Sequence, residues 1–452
     1  MSLDNLFGAV REQNIIREIS QKTFVGKVFL VGGAIRELLL DKSPKDYDFA
    51  LTNQEDLRVI ENTVGAHAFL LGRKPIQTHR IVSGDISLDL TFLSGTIEQD
   101  LARRDFTMNA IAYDIGENRV VDLLRGIEDI EARIIRCPSR QTLSDDPLRM
   151  LKAVRHFATL EGFTMDSGLV EAIQDLKHLI HKVAPERIKH EMDQIVTSGK
   201  AFEGLVMLQL TGLLFELFPD LHALKKLDEE KHFILETFGH TVGGFKYLPS
   251  LGNRYNLDER SIRNVAYALL FHDIGKAHTF SHDNAKQTVH FFYHEQFSRD
   301  LATIILEKLR FGSFDIKIII KLIEYHMRIF LISNNESTYK AIRRLVYRVG
   351  DLTPALIVLT LCDMYGSSGG SENNSTLMVR KRCDDVLDTY NEWAKKPLPR
   401  LLTGHDLLAI GFKEGPFIGR VLNDIREKQI GGELTEREDA IDLAQNQLKA
   451  VK

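Results

Sequence analysis

Two aspartates separated by one residue occur in the extended run DYDFAL near the N-terminus. Alternate residues of a strand face the same side, so the carboxylates of Asp46 and Asp48 lie next to each other. Such like charges repel unless a cation lies between them, and Mg²⁺ prefers carboxylate oxygens. Gly32 and Gly33 precede the pair by a short predicted helix, Ala34–Leu40, and glycines let a backbone approach phosphates closely. The combination predicts a site for Mg²⁺ and a nucleoside triphosphate, whereas a lone pair of this kind is more often a solvated turn.

A third carboxylate comes from a second predicted strand, Ile86–Phe92. Apolar residues alternate with polar ones along this strand, and Asp89 lies on its polar face. If this strand neighbours the DYD strand, Asp89 completes a two-metal site. Two metal ions can activate a hydroxyl group and stabilise a leaving pyrophosphate.

The segment RRDFTMNA offers cationic groups beside a carboxylate. Arg104 and Asp105 suit contacts with the phosphates and the ribose of a nucleotide. Taken alone, an RRD sequence is more often an ion pair at the end of a helix.

The segment DDPLR opens a predicted helix, LRMLKAVRHF. Asp146 and Arg149 are three positions apart and are expected to share a helical face. A carboxylate acceptor beside a guanidinium donor can recognise the Watson–Crick edge of a base. The alternative is that these residues simply cap a helix.

Residues that bind metals also occur far from this region, in the order H…HD…H…H…D. A single histidine on a helix is more often a core or surface residue than a ligand, but six such residues in this order favour a metal site. Imidazole and carboxylate ligands suit Mn²⁺, Fe²⁺, Ni²⁺ or Zn²⁺. The residues are His240, His272, Asp273, His294, His326 and Asp363.

The pattern of apolar residues changes along the chain. Strands and helices mix in about the first 135 residues, which indicates an α/β or α+β head. Helical periodicity dominates afterwards, and no convincing strand is predicted beyond about residue 143. The run GSSGGSENNST, from Gly366, is expected to be a flexible loop.

Composition and charge limit the possible functions. The net charge of −5 excludes a uniformly basic nucleic-acid binder, so RNA contact requires a local basic face. Lys340, Arg343, Arg344 and Arg348 could form such a face, or could be a solvated surface. Three scattered cysteines suggest a reducing compartment. We find no membrane span or signal peptide in the sequence and expect a cytoplasmic protein.

Taken together, the motifs resemble the bacterial class II CCA-adding tRNA nucleotidyltransferase and poly(A) polymerase family. The similarity rests on VGGAIRELLL, KDYDFAL, EQDLARRDFTMNAIAYD, DDPLRMLKAVRHFATLEGF and PERIKHEM, and extends to the C-terminal LLTGHDLLAIGFKEGPFIGRVL. The run of histidines and aspartates resembles the HD phosphohydrolase superfamily. The resemblance implies a polymerase-β-like head (1–140), a helical neck and nucleotide-templating, RNA-binding region (141–230), an HD domain (231–370) and a helical tail (371–452).

The resemblance also implies roles for single residues. Asp46 and Asp48 are expected to be catalytic and to hold Mg²⁺, and Asp89 joins the catalytic residues on its strand position and polar face alone. The resemblance places His240, His272, Asp273 and Asp363 around one HD metal, with His294 and His326 available for a second. The residues expected to contact the nucleotide are Gly32, Gly33, Arg36, Arg104, Asp105, Asn109, Asp146, Arg149, Arg155 and Arg187.

The implied activity is the addition of nucleotides from CTP and ATP to the 3′ end of tRNA or another RNA, with phosphatase or phosphodiesterase activity in the HD domain. Two departures leave the product open between CCA, A-only and poly(A) addition. Asp145 replaces the usual glutamate, and LLGRKPIQTHRIVSG lacks the glycine-rich pattern of many CCA-adding members. The rivals are a metallophosphohydrolase with an inactive head and an RNA-binding protein with two inactive folds. No oligomeric state is predicted.

Overall fold

The computed structural model describes residues 8, 10, 12–71, 77–231, 237–283, 288–334, 336–395 and 398–450. The predicted α+β class, with a mixed-sheet head followed by helices, is confirmed. Contacts divide the chain into two compact units, Met1–Met192 with Met207–Leu217, and Asp193–Val206 with Phe218–Lys452. The four narrower domain bounds stay a prediction, and the GRK part of LLGRKPIQTHRIVSG lies outside the described residues.

The first unit is built on a mixed sheet with the strand order β3-β4-β5-β2-β1-β6-β7. Strand β1 is buried along its whole length, as its apolar sequence VFLV predicts. Strands β2 and β5 run parallel, while their other neighbours in the sheet run antiparallel. The strands are β1 (Val28–Val31), β2 (Asp46–Leu51), β3 (Phe69–Leu71), β4 (Thr78–Ser83), β5 (Ile86–Phe92), β6 (Ala112–Asp114) and β7 (Arg119–Val121).

Helices cover this sheet and continue the unit beyond it. The helix predicted after the glycine pair is confirmed as α2, one residue earlier at each end than expected. The helices up to Leu217 are α1 (Asn14–Ser20), α2 (Gly33–Leu39), α3 (Glu55–Val64), α4 (Ile97–Ala102), α5 (Gly126–Glu131), α6 (Arg140–Asp145), α7 (Leu148–Thr159), α8 (Ser167–Leu176), α9 (Pro185–Val196), α10 (Ala201–Leu210) and α11 (Leu213–Leu217). Helices α9 and α10 each have residues in both units.

The second unit is almost entirely helical. Its central helix is α20, in which most residues from Thr353 to Met364 are buried. The helices are α12 (Pro219–Lys231), α13 (Thr237–Gly244), α14 (Leu248–Arg254), α15 (Glu259–Phe271), α16 (Lys276–Thr279), α17 (His294–Lys308), α18 (Ser313–Leu331), α19 (Tyr339–Val349), α20 (Thr353–Ser368), α21 (Asn374–Lys395), α22 (Gly404–Ile410), α23 (Pro416–Ile430) and α24 (Arg437–Lys449).

Two details of the helical part were predicted wrongly. Strands do occur there: β8 (Ile134–Ile135) pairs with β9 (Thr164–Met165), and β10 (Phe280–Asp283) pairs with β11 (Thr288–Phe291). The loop expected from Gly366 is shorter than its composition suggests. Helix α20 continues to Ser368 and α21 begins at Asn374, because close helix packing outweighs the weak helix propensity of glycine and serine.

One helical run, Tyr339–Ser368, is long and apolar enough to cross a membrane by length and composition. It contains α19 and α20, and 67% of its apolar window is buried inside the fold. A core helix of a water-soluble protein has the same properties, so this run is weak evidence for a membrane span.

Candidate functional site

The three head carboxylates come together on adjacent strands. In the parallel pairing of β2 with β5, Asp48 lies opposite Asp89, and Asp46 lies opposite Ser87. The Ser87 hydroxyl donates a hydrogen bond to the Asp46 carboxylate. The register between β2 and β5 therefore places the Asp89 carboxylate beside that of Asp48. Alternation within each strand could suggest this arrangement but could not establish it.

Asp48 is the carboxylate that the fold perturbs most clearly among the three. Burial raises its pKa from 3.8 to about 6, and the negative charges of Asp89 and Asp46 act in the same direction. The nearby Arg104 guanidinium opposes the shift without cancelling it. The three neighbouring carboxylates repel one another, and a divalent cation bound between them would remove this repulsion. The arrangement therefore fits a site for a divalent cation.

Asp89 is held by an arginine that the sequence analysis missed. Arg80 of β4 donates from Nε to Asp89 Oδ1 over 2.7 Å and from Nη2 to Oδ2 over 2.5 Å. The two residues face each other across the antiparallel β4–β5 pair. Both carboxylate oxygens thus already accept hydrogen bonds, so Asp89 would have to share them with any metal ion. Only the pairing of β4 with β5 reveals Arg80.

The backbone at Gly32 passes between the Asp48 carboxylate and the Arg104 guanidinium. Its φ of +79° belongs to the region that favours glycine. A Cβ at this position would lie 3.0 Å from both Arg104 Nη1 and Asp48 Oδ2. Arg104 is fixed by Asp100, which accepts its Nε–H over 3.1 Å and its Nη2–H over 2.9 Å. Asp100 is a second positioning residue that the sequence analysis missed, although the spacing of four suggests the pair.

A chain of polar contacts connects α2 with the RRDFTMNA segment. The buried Arg36 donates to Asn109 Oδ1 over 2.5 Å, and Asn109 donates to Asp105 Oδ1 over 3.0 Å. Lys152 lies 3.7 Å from the other Asp105 oxygen. Burial lowers the pKa of Arg36. Arg36 and Asn109 therefore act within the protein, holding Asp105 in place, as well as being candidates for nucleotide contact.

A charged cleft of about 580 Å³ collects the residues expected to select the base. Asp146 and Arg149 line it, but they do not share a helical face as predicted. Asp146 lies before α7 in an extended conformation, because a residue that precedes proline avoids the helical region. The other charged residues along the cleft are Asp100, Arg103, Arg104, Asp105, Asp145 and Lys152.

The base-selecting candidates are already oriented by neighbouring groups. Arg149 donates to the carbonyl oxygens of Thr142 and Arg103 over 3.1 and 2.9 Å. Arg187 donates to Asp146 Oδ2 over 2.9 Å. Arg155, also expected at the nucleotide, instead donates to the buried Glu191 over 2.6 Å.

In the second unit, six side chains converge on one buried point. Asp273 Oδ2 lies 2.9 Å from His240 Nε2 and 3.2 Å from His272 Nε2. Asp273 Oδ1 lies 3.4 Å from His294 Nε2 and 3.8 Å from His326 Nε2. Asp363 Oδ1 is 3.5 Å from both His240 and His272 Nε2. Asp273 thus belongs to two groups of potential metal ligands and could bridge two ions.

The ring orientations of three histidines direct their Nε2 atoms towards the centre of the cluster. Nδ1 of His272, His294 and His326 lies 2.8, 2.9 and 2.6 Å from a backbone carbonyl oxygen. Each Nδ1 therefore donates to its carbonyl oxygen, and each Nε2 is directed at the centre, where it could bind a metal ion in place of a proton. His294 Nε2 and His326 Nε2 are 3.3 Å apart, and His272 Nε2 and Asp273 Oδ1 are buried without a hydrogen-bond partner. The donor set fits a divalent transition metal.

The buried histidines of this cluster have pKa values that are shifted in opposite directions. Burial alone would lower the pKa of His272, but Asp273 and Asp363 raise it to about 10. Burial and the neighbouring His272 lower the pKa of His326 to about 3. Lys276 donates to Asp273 Oδ2 over 2.6 Å, so its positive charge offsets the negative charge of the Asp273 carboxylate.

Comparison with known proteins identifies the family. The chain matches the model of the Poly A polymerase head domain (28–94 and 75–136), of the probable RNA and SrmB-binding site of polymerase A (162–225) and of the HD domain (237–366). A CC-adding tRNA nucleotidyltransferase from Thermus thermophilus is 32% identical over 91% of this chain and 92% of its own length. The chain belongs to the tRNA nucleotidyltransferase family. An A-adding member from Deinococcus radiodurans is also 32% identical, over 91% of this chain and 93% of its own.

Solved structures share the fold of this nucleotidyltransferase at low sequence identity. A Thermotoga maritima CCA-adding enzyme complexed with tRNA has a TM-score of 0.64 at 17% identity, over 99% of each chain. A CCA-adding enzyme in complex with CTP has a TM-score of 0.69 at 16% identity, over 99% of each chain. At these identities the comparison establishes the architecture only.

Close helix packing assembles the metal-ligand cluster of this nucleotidyltransferase. A Cβ at Gly366 in α20 would lie 2.3 Å from the His240 carbonyl oxygen and 2.8 Å from the Gly244 nitrogen. A Cβ at Gly244 would in turn lie 2.8 Å from the Cys362 carbonyl oxygen. The absence of side chains lets α13 and α20 cross closely, which brings His240 to Asp363.

The basic stripe on α19 of this nucleotidyltransferase is largely neutralised within the second unit. Glu433 pairs with Lys340, and Glu427 pairs with both Arg344 and Arg348. These contacts weaken the interpretation of the stripe as a free path for an RNA backbone, because each cation would have to exchange a carboxylate for a phosphate.

Proposed function

We propose that this protein adds nucleotides from CTP or ATP to the 3′ end of a tRNA. The observation that carries the proposal is the carboxylate group on β2 and β5, with Asp48 at a raised pKa beside Asp46 and Asp89. The family relationship gives the substrate class, since the relatives are named CC-adding and A-adding tRNA nucleotidyltransferases. Poly(A) addition remains the alternative product, because a poly(A) polymerase from Haemophilus influenzae is 31% identical over 46% of the chain.

Different residues of the head have different roles in nucleotidyl transfer. Asp46 and Asp48, with Asp89, would hold Mg²⁺, which when bound would lower the pKa of the attacking 3′-hydroxyl and neutralise charge on the leaving pyrophosphate. The backbone at Gly32 and Gly33 approaches the triphosphate, and Arg104, fixed by Asp100, contributes positive charge there. The bond between the α-phosphate and the pyrophosphate breaks as the 3′-oxygen attacks phosphorus.

The charged cleft selects the base. Asp146 offers carboxylate oxygens and Arg149 offers guanidinium donors along the same cleft. Their existing partners, Arg187 and two backbone carbonyls, fix them in a defined orientation. A well-aligned pair of this kind discriminates between bases by about 1–3 kcal/mol.

The length of the product tests this function. Purified protein is incubated with Mg²⁺, labelled CTP or ATP, and either a tRNA lacking CCA or a tRNA lacking only the terminal A. Addition of CC, A or CCA separates the three tRNA activities by size, and a long ladder with ATP would establish poly(A) addition. Absence of any incorporation with all four ribonucleotides and both tRNAs would refute the proposal.

A second activity is proposed for the cluster of histidines and aspartates in the second unit: the hydrolysis of a phosphomonoester or of a 2′,3′-cyclic phosphate. The converging Nε2 atoms and carboxylate oxygens favour it, because this donor set fits a divalent transition metal. The metal, when bound, would make water a nucleophile for phosphorus at neutral pH. Asp273 bridges the two ligand groups, and Lys276 is the nearest cation that could turn to a phosphate.

The test of this second activity uses elemental analysis and one substitution. The purified protein should contain Mn, Fe, Ni or Zn. Asp273→Ala should lose both the metal and the hydrolysis while nucleotide addition to tRNA continues, because the cluster shares no residue with the head carboxylates or the charged cleft. Loss of nucleotide addition alone in this variant would show that the cluster serves RNA binding.

The cytoplasm is the proposed location. All three cysteines are unpaired thiols, and Cys362 and Cys383 are buried. Reduced cysteines agree with a reducing compartment, where a tRNA substrate and nucleoside triphosphates are also present.

A further inference from the structure

A cavity of about 390 Å³ lies among the C-terminal helices of the second unit, and none of the residues of the two sites above lines it. Three aromatic side chains form part of its wall: Tyr339 and Tyr347 of α19, and Trp393 of α21. Its size and its mixture of rings with a few polar groups are typical of a site for a small molecule or a single nucleotide.

Within the described residues, one cation that lines the cavity has no partner. Three of the four basic residues on α19 are paired with Glu427 or Glu433. The fourth, Arg343, lines the cavity and forms no hydrogen bond or ion pair with any residue in the described ranges. A guanidinium presents a rigid set of donors that matches a phosphate, so an anion is the expected partner.

The polar ends of the two tyrosines are engaged with the protein. Tyr339 donates its hydroxyl proton to Glu392 Oε2 over 3.2 Å, and the Tyr347 hydroxyl accepts the Nε–H of Arg426 over 3.1 Å. The Arg426 guanidinium also lies over the Tyr347 ring, 4.9 Å from its centroid. These contacts fix the rings, while the indole N–H of Trp393 forms no hydrogen bond within the described part of the chain.

We propose that this cavity binds a nucleobase that carries a phosphate. The base stacks on the aromatic wall, chiefly on Trp393, and the phosphate binds Arg343. The same chemistry is present in a free nucleotide and in an unpaired nucleotide of an RNA, and the two sources are separable by experiment. The cavity lies outside the catalytic cleft, so the proposal does not depend on the activity of the head.

The chain provides its own reporter, because Trp393 is its one tryptophan. A base stacked on the indole should quench its fluorescence, and none of the residues that line the charged cleft of the head lines this cavity. The full-length protein is titrated at millimolar concentrations with AMP and CMP, with adenosine and inorganic phosphate as the separate halves, and with tRNA. We expect AMP or CMP to quench more strongly than adenosine, and phosphate to compete with them.

Arg343→Gln should weaken the binding of AMP or CMP about tenfold or more, as expected for loss of a charged hydrogen bond. Arg348→Gln is the matched control, since Arg348 is on the same helix but is paired with Glu427 outside this cavity. Tyr339→Leu, which removes an aromatic wall, should also weaken binding. Circular dichroism checks that each variant is folded.

Each result of the fluorescence titrations has a different interpretation. Quenching by mononucleotides without a response to tRNA assigns the site to a free nucleotide. Quenching by tRNA that AMP reverses assigns it to an RNA nucleotide. No quenching by any of these ligands, or equal affinities in Arg343→Gln and Arg348→Gln, overturns the proposal.

Discussion

Replacing Asp48 with asparagine should stabilise the metal-free head while abolishing nucleotide addition. The pKa of Asp48 is raised from 3.8 to about 6 by burial and by the adjacent carboxylates. A pKa difference of this size corresponds to about 3 kcal/mol, and the partial contact of the side chain with solvent reduces the expected effect to about 2 kcal/mol. The value already includes the opposing attraction of Arg104.

The sign follows from proton linkage. The folded state binds the Asp48 proton more tightly than the unfolded state does, so wild-type stability falls as the pH rises from 3.8 to about 6. The penalty is fully present above pH 6 and absent below the unfolded pKa. Asp48→Asn should therefore exceed the wild type in stability at neutral pH and equal it in strong acid, and Mg²⁺ should stabilise only the wild type.

Hydrogen–deuterium exchange of the β2 and β5 amides measures this stability where it matters, since Trp393 lies in the other unit and does not report on the head. Asp46→Asn is the control, because Asp46 is exposed and such substitutions change stability by roughly 0.5 kcal/mol or less. Both variants should lose nucleotide addition. Faster exchange in metal-free Asp48→Asn than in the wild type at neutral pH would refute the reasoning.

Two further predictions concern the base-selecting cleft and the metal cluster. Asp146→Ala or Arg149→Ala should reduce the discrimination among CTP, ATP, UTP and GTP more than it lowers the rate of addition. The reason is that a base contact contributes about 1–3 kcal/mol of discrimination. A uniform loss of rate with an unchanged nucleotide preference in competition assays would contradict this prediction. Gly366→Ala should remove bound metal and hydrolysis but keep nucleotide addition, because its Cβ would lie 2.3 Å from the His240 carbonyl oxygen. Gly419→Ala, with no atom within 4 Å of the new Cβ, should retain both activities, and an equal loss in the two variants would remove helix crossing as the cause.

Local patterns predicted the head well. The buried strand β1, the glycine turn, α2 and the strand carrying Asp46 and Asp48 all follow from short-range signals in the sequence. Those signals could suggest that Asp89 lies opposite Asp48 but could not establish it, because the register between β2 and β5 depends on long-range pairing. Arg80 was missed for the same reason.

The error at Asp146 arose from reading helical spacing through a proline. Asp146 and Arg149 have the spacing of helical neighbours, but Pro147 forces the residue before it out of the helical conformation. The signal was therefore present in the sequence. The cleft still collects both side chains, since α6 ends at Asp145 and α7 begins at Leu148.

The metal cluster was expected from residue order and resemblance, whereas its geometry comes from packing. No local pattern shows that Gly366 and Gly244 allow α13 and α20 to approach closely. The hairpin of β10 and β11 was missed because its strands have four residues each and lack clear alternation. His272 lies directly after α15, and Asp273 lies in the following turn.

The most direct test of the central claim compares three proteins in one assay. Wild type, Asp46→Asn and Asp273→Ala are mixed with Mg²⁺, labelled CTP and ATP, and tRNA with a truncated 3′ end, and incorporation is followed over time. We predict that the wild type and Asp273→Ala add nucleotides at similar rates, while Asp46→Asn adds none. Incorporation by Asp46→Asn near the wild-type rate would contradict the assignment of nucleotidyl transfer to the carboxylates of the head.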